Sequence, residues 1–199
     1  MGARIVAVVG SYRRNGIVEA AVEAVLAAAR EKGAITQTIH LTEERLEFCT
    51  NCRCCTQTAG EERGKCQHQD GLETILCAIE AADAVILASP VNYWNVTALF
   101  RRFMERLLGF TYWPWGQNAP KIRSARKPRK AVLIAAAAMP GFLIPLATGA
   151  SRALHSTAAM LGARPVGRMW IGLAAHQQKQ TLTGGSLRRA RRLGLKLAA

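Results

Sequence analysis

No acidic residue follows Glu105 in this 199-residue chain. All thirteen Asp and Glu and eleven of the 27 Lys and Arg lie in 1–105, leaving sixteen cations and no anion in 106–199. That split excludes an evenly mixed surface. It reads either as an arginine-rich solvated surface or as a basic face for an anionic partner: a nucleotide phosphate, a membrane surface, a nucleic acid or an acidic protein. No helix-turn-helix, zinc-finger or RNA-binding signature is present, so nucleic acid stays a minor alternative. There is no low-complexity tail and no repeat at 20–50 residues, which excludes a solenoid. The first residues lack the apolar run and cleavage site of a secretory signal, and they lack the Ser or Thr of a myristoylation signal. A cytoplasmic protein is expected.

The one long uncharged run, 131–151, is long enough to span a bilayer. Met139-Pro140-Gly141 and Pro145 interrupt it, so it reads as a buried strand, a turn and a helix start, with no transmembrane span. A chain of this size builds one domain and needs no disulfide or metal to fold. The expectation is a single domain over 1–199. Aromatics are few and alanine runs are common, which suits helices packed on a sheet.

Apolar runs at Ala3–Val9, Ala84–Ala88 and Ala131–Ala138 read as strands buried on both faces. Ala34–Leu41 alternates, with Ile35, Ile39 and Leu41 on one face, and reads as an edge strand. Arg164–Gly172 is the fifth strand. Helical spacing begins at Val18, with Gly33 as the cap, and recurs at Leu72–Ala81, Val96–Leu107, Leu146–Leu161 and Ser186–Ala198. Strand-helix repeated five times predicts an α/β three-layer sandwich. Its five-stranded parallel sheet takes the flavodoxin-like order 2-1-3-4-5. A ligand then sits beyond the carboxyl ends of strands 1 and 3, at the loops 10–17 and 89–95.

The first loop is Gly10-Ser11-Tyr12-Arg13-Arg14-Asn15-Gly16. It is neither GxGxxG nor a P-loop. A hydroxyl, two guanidinium groups and free N–H groups at a helix start are the parts that hold a terminal phosphate; an ordinary polar turn is the alternative. The second loop is Ser89-Pro90-Val91-Asn92-Tyr93-Trp94-Asn95. Tyr93 and Trp94 offer flat surfaces to a planar ring, and Asn92 can bond its polar edge; a Pro-Asn turn whose aromatics serve the core is the alternative.

These stretches, with CTNCRCC at 49–55, SPVNYWNVTALFRRFMERL at 89–107 and AMPGF at 138–142, resemble the NADPH-dependent FMN reductase and iron–sulfur flavoprotein group of the flavodoxin-like superfamily. The resemblance covers most of the chain. It implies FMN, with NAD(P)H as co-substrate. It implies a phosphate held by Ser11, Arg13, Asn15, Gly16 and Ile17, and a flavin ring held by Pro90, Val91, Asn92, Tyr93, Trp94 and Asn95. A third loop, Ala136–Gly141, is implied to close over the ring, with Ala137 and Met139 as contacts made through the backbone. Gly16-Ile17-Val18 stands where many relatives carry Ser or Asn-Thr, so the phosphate leans on arginine. An insertion at 111–130 holds Tyr112-Trp113-Pro114-Trp115 and the basic run Lys121–Lys130. Its aromatics either roof the flavin, make a subunit contact or form a satellite core.

Five of six cysteines crowd the loop 48–68. Cys49, Cys52, Cys55 and Cys66 have the C-x2-C-x2-C-x10-C spacing of ligands to a [4Fe-4S] cluster. Four-cysteine zinc and free thiols are the alternatives. Cys54 is expected to stand outside the set, and Cys77 to be a small buried helix residue. The reading is thus an FMN-dependent NAD(P)H oxidoreductase, forming a homodimer or homotetramer. Its acceptor would be free flavin, a quinone or an iron–sulfur partner protein. No protein acid or base is named as catalytic. An electron-carrier or redox-sensing module is the rival.

Overall fold

The structure is a computed structural model that describes residues 2–124, 126 and 128–199. Ala125 and Lys127, within the basic run expected in the insertion, lie outside the described residues, as does Met1.

Five parallel strands form the sheet: β1 Arg4–Val9, β2 Ile35–His40, β3 Ala84–Asn92, β4 Arg129–Ala136 and β5 Ala163–Ile171. Their order is β2-β1-β3-β4-β5, the flavodoxin-like arrangement. The strand interiors are apolar on both faces because both are covered. Val6, Val8, Val85, Leu87, Leu133 and Ala135 face one core. It is closed by α2 Leu72–Glu80, α3 Ala98–Glu105 and α4 Ala150–Met160. Ile5, Ala7, Val9, Ile86, Ala88 and Ile134 face the other core, closed by α1 Ile17–Arg30 and α5 Gly184–Ala198. Among the described residues, no helix is long and apolar enough to cross a membrane. The uncharged run 131–151 is divided among β4, a loop and the start of α4.

Three boundaries move, each for a local reason. β3 runs four residues past Ala88, because Val91 and Asn92 pair antiparallel with a two-residue strand, Asn95–Val96. Val96 is thereby withdrawn from the expected helix, and α3 starts after Thr97, whose hydroxyl accepts the Phe100 N–H. The helix expected from Leu146 breaks in two. Ile144–Ala147 makes one turn and Thr148 goes extended. The Thr148 hydroxyl donates to the Ile144 carbonyl at 2.7 Å, and α4 begins at Ala150.

β2 is an edge strand as its alternation indicates. Ile39 and Leu41 are buried, but Ile35 stands exposed on the open edge. The other edge, β5, is blunted. Pro165 removes a donor, a register shift falls opposite Ala131 and Val132, and Lys196 and Arg189 of α5 donate to the carbonyls of Val166 and Arg168.

Candidate functional site

The loop after β1 folds on itself before it faces solvent. Ser11 Oγ donates to the Arg13 carbonyl and accepts the Arg13 N–H, at 3.1 and 3.2 Å. Asn15 takes a left-handed conformation (φ 56°), and the Glu19 carboxylate accepts its N–H. Gly16 caps α1 without a side-chain bond, so the N–H groups of the first turn point out unspent. Arg13 lies over Gly16; a Cβ there would sit 3.1 Å from Arg13 Cδ. The two arginines have separate fates. Arg14 is bound to Glu43 at 2.6 Å and to Glu19 at 3.3 Å. Arg13 has no carboxylate partner among the described residues. It lines a cavity of about 880 Å³ together with Asn15, Gly16, Ile17, Lys179 and Gln180.

A second cavity, about 280 Å³, adjoins it and shares Arg13, Gly16, Ile17 and Ala174. Its walls are Ser11 and Tyr12 from the first loop, Pro90, Val91 and Asn92 from β3, and Ala136 at the end of β4 with Ala137 and Ala138 just beyond it. The alanines leave a shallow wall at the third loop. Ala137 spends its N–H on Ile171 and its carbonyl on Ala174. The larger cavity falls within the roughly 300–1,000 Å³ typical of small-molecule sites, and the smaller one extends it along the rim of the sheet.

The structure therefore brings together Ser11, Arg13, Asn15, Gly16, Ile17, Pro90, Val91, Asn92 and Ala137. Four expected contacts stand elsewhere. Tyr93 and Trp94 are the two turn residues of the hairpin 92–95, both at positive φ (45° and 65°), and they project into solvent, 98% and 61% exposed. A two-residue hairpin turn demands that backbone, which explains why adjacent aromatics past a buried strand do not enter the core. Asn95 turns away: its Oδ1 accepts the Val96 N–H, and its amide packs under Gly149. Met139 packs against the core beneath α2–α4. Conversely, Tyr12 and the 174–182 segment join the site without having been expected there. The segment carries no motif, but it follows β5. Every loop after a strand's carboxyl end reaches the same rim, and that rule is the signal that points to it.

A buried network joins the two principal loops. Thr97 and Ser89 are wholly buried. Thr97 Oγ1 donates to the Gly10 carbonyl at 2.6 Å, the Thr97 N–H donates to Ser89 Oγ at 3.1 Å, and Ser89 Oγ donates to the Pro90 carbonyl at 2.9 Å. The Tyr12 hydroxyl accepts the Leu99 N–H at 3.1 Å. Neither loop can shift without the other.

The cysteine loop is held by four arginines. Arg53 is stacked between the rings of Trp113 and Trp115, at 3.8 and 4.2 Å, and donates to the Trp113 and Pro114 carbonyls. Arg63 forks onto Glu73 and reaches Glu80. Arg106 joins Asp70, and Arg123 donates to the carbonyls of Cys55, Thr58 and Gly60. Trp113 and Trp115 thus brace the cysteine loop, a role apart from the three expected of the insertion's aromatics. Cys77 corrects an expectation. It is exposed, because the buried stripe of α2 is Leu72, Ile75, Leu76 and Ile79, and its thiol lies beside Glu73 and Arg63.

Among the described residues, no three His, Cys, Asp or Glu side chains stand close enough to hold a single metal ion. The thiols gather at longer reach. Burial pushes the Cys55 thiol up to about 11, and the neighbouring Cys66, Cys49 and Cys52 push the same way. The Cys54 N–H holds Cys52 below the ordinary thiol value against the effect of burial, helped by the Cys54 thiol and the Thr50 hydroxyl. An all-sulfur donor set suits an iron–sulfur cluster, whose ligands sit around a larger body than one ion, and suits a four-cysteine zinc as well.

The chain matches the NADPH-dependent FMN reductase family over residues 3–177. It belongs to that family. An iron-sulfur flavoprotein of Archaeoglobus fulgidus is 32% identical over 111 residues, covering 56% of this chain and 48% of that protein. The chain spans about half the length of the curated relatives it matches. Solved structures share its fold across its whole length. The NAD(P)H:quinone oxidoreductase from Methanothermobacter marburgensis has a TM-score of 0.67 at 18% identity, covering 99% of this chain and 98% of that one. An FMN-dependent NADH-azoreductase from Bacillus anthracis, solved in complex with FMN, has 0.73 at 9% identity, covering 99% and 100%.

Proposed function

We propose that the chain is an oxidoreductase that binds FMN across the two adjoining cavities, accepts reducing equivalents from NAD(P)H and delivers them to an acceptor. The observation that carries this is the junction of a phosphate-type loop and a ring-type loop at the carboxyl edge of β1 and β3. Arg13 and the first-turn N–H groups of α1 bind the phosphate. Lys179 adds a second cation from the far wall. Asn92 and the backbone of Pro90–Val91 orient one edge of the ring, and the alanines of 136–138 pack against it. Bound FMN supplies the hydride and electron chemistry, so no side chain is asked to act as acid or base. The exposed hairpin tip with Tyr93 and Trp94, which follows the Asn92 wall of the smaller cavity, would meet the nicotinamide or the acceptor.

The phosphate assignment predicts that the protein prefers FMN to riboflavin. Arg13→Ala should weaken FMN about 10- to 100-fold, the effect of one charge-assisted hydrogen bond of roughly 1.5–3 kcal/mol, and leave riboflavin affinity unchanged. Fluorescence titration of both flavins checks it, and equal affinities in the wild type would refute the phosphate loop. Steady-state oxidation of NADH and NADPH with free FMN, a quinone or ferricyanide separates an enzyme from a carrier or sensor module.

The cysteine loop supports a [4Fe-4S] cluster on Cys49, Cys52, Cys55 and Cys66, with the thiols drawn inward on loading. Anaerobically prepared protein should then contain about four iron and four acid-labile sulfide per chain. Both should be lost in Cys52→Ala and kept in Cys77→Ala; iron-free protein under those conditions removes the cluster.

The basic half supports an anionic partner, but fewer cations are free for it than the sequence suggests. Arg106 and Arg123 bind the cysteine loop, and Arg129 donates to the carbonyls of Ile79, Glu80 and Leu161. Arg191 pairs with Glu31. The exposed cations left on the β5–α5 side include Arg164, Arg168, Arg188 and Arg192. Binding to an acidic protein or an anionic vesicle should weaken from low to moderate salt, as charges screened over about 8 Å must.

A further inference from the structure

We propose that Arg106 is a positioning residue for the Cys66 sulfur: from a wholly buried site its guanidinium donates to Cys66 Sγ and holds that sulfur in place among the thiols of the loop. The fork is fully laid out. Nη1 reaches Asp70 Oδ2 and the Glu47 carbonyl, both at 2.6 Å; Nη2 reaches Asp70 Oδ1 at 3.1 Å and Cys66 Sγ at 3.3 Å. The side chains of Arg106 and Asp70 are 0% and 1% exposed. Asp70 accepts the N–H groups of Glu47 and Leu72 at 2.8 and 3.2 Å. One guanidinium thus clamps both stems of the cysteine loop, at Glu47 ahead of Cys49 and at Asp70 behind Cys66.

Stability alone does not account for the clamp. A buried ion pair is commonly no more stabilising than apolar residues of similar volume, and here Arg106 Nε is also buried without a partner among the described residues. What the pair adds is geometric: a planar cation whose second nitrogen is aimed at sulfur. Lysine carries its donors on one nitrogen and cannot reproduce a fork whose two nitrogens divide the carboxylate, the carbonyl and the sulfur between them. Hydrogen bonds and charge at sulfur ligands raise a cluster's reduction potential, so the clamp also tunes the site. That second role rests on the cluster reading; the positioning role does not.

The test uses the FMN-loaded protein purified in air, treated with diamide. The reagent takes two electrons and two protons from a pair of thiols, which join as a disulfide, and becomes its hydrazide. Peptide mapping then reads which cysteines have joined. In the wild type, Cys66 should be recovered joined to Cys49, Cys52 or Cys55. In Arg106→Lys, which keeps the charge beside Asp70, that yield should fall about tenfold, as for loss of one charge-assisted hydrogen bond. Circular dichroism and FMN affinity should not change. If Arg106→Lys does not fold, the volume-matched pair Arg106→Met with Asp70→Leu takes its place. An unchanged Cys66 disulfide yield in a folded variant overturns the proposal. In anaerobic protein, the cluster potential should also fall by about 59 mV, a tenfold shift for a one-electron couple. Iron-free wild type would end the cluster reading, and the disulfide map would still decide the role of Arg106.

Discussion

Asp70→Asn should lower the melting temperature by about 10 °C at pH 7, since removing one partner of a buried ion pair costs roughly 3–5 kcal/mol and a domain of this size loses about 2–4 °C per kcal/mol. The carboxylate sits with 1% of its side chain exposed, and the substitution leaves the Arg106 charge buried without a counter-ion. The same group imposes a pH dependence. Burial opposes ionisation of Asp70, but the Arg106 guanidinium and the N–H groups of Glu47 and Leu72 outweigh it and hold the carboxyl below its ordinary value. A carboxyl depressed in the folded state contributes stability above its unfolded pKa of about 3.9 and loses it as pH falls through the lower folded value. Wild type should therefore lose stability below about pH 4 more steeply than Asp70→Asn, and their unfolding curves should converge in acid. Urea melts from pH 7 to pH 3 read this directly. A shift under about 2 °C at pH 7, or parallel pH profiles, would show that the loop stems are held by other contacts.

The sheet is legible in the sequence because it is buried on both sides. Ile5–Val9, Ala84–Ala88 and Ala131–Ala136 have no polar face to confuse with anything else, and helices separate them at regular intervals. That alone places the ligand loops. The residues within those loops are less legible, because contact depends on backbone conformation that apolar patterning does not encode. Tyr93 and Trp94 are ring contacts by residue type alone. The pairing of Asn92 with Asn95 puts them on a turn instead, and only the hairpin register reveals it. Asn95 lies on the second loop but lines a different surface cavity with Thr148 and Arg152, and the Met139 side chain packs against the core. In sequence Arg14 is the equal of Arg13; in the fold Glu19 and Glu43 engage it. The clamps on the cysteine loop are hidden for the same reason. By sequence Arg53, Arg106 and Arg123 count simply as cations, and the partners through which they tie down the cysteine loop lie 36 to 68 residues away.

Gly10→Ala should both destabilise the fold and loosen the flavin. A Cβ at residue 10 would lie 2.6 Å from Cβ and 2.7 Å from Cδ2 of Phe100, far inside contact distance. Phe100 is fully buried in the core beneath α3 and stacks edge-on with Phe103 at 6.0 Å, so it has little room to yield. Overpacking of this kind costs about 1–3 kcal/mol. The cost does not stay local. The Gly10 carbonyl accepts the Thr97 hydroxyl, and Thr97 leads through Ser89 to Pro90, so moving Gly10 outward pulls the 10–17 loop away from the 89–95 loop. FMN affinity should fall along with stability. Thr97→Val leaves room for Phe100 but removes both the bond to Gly10 and the cap on the Phe100 N–H, and should weaken FMN with a loss of stability of about 2 kcal/mol for two hydrogen bonds. Phe100→Leu introduced together with Gly10→Ala should recover part of what Gly10→Ala loses, because the two side chains compete for the same space. A double-mutant cycle in urea, with FMN titrations on the same four proteins, measures the coupling. Strict additivity between residues 10 and 100 would mean that the clash is relieved elsewhere. Unchanged FMN affinity in Gly10→Ala would mean that the buried network does not tie the two loops together.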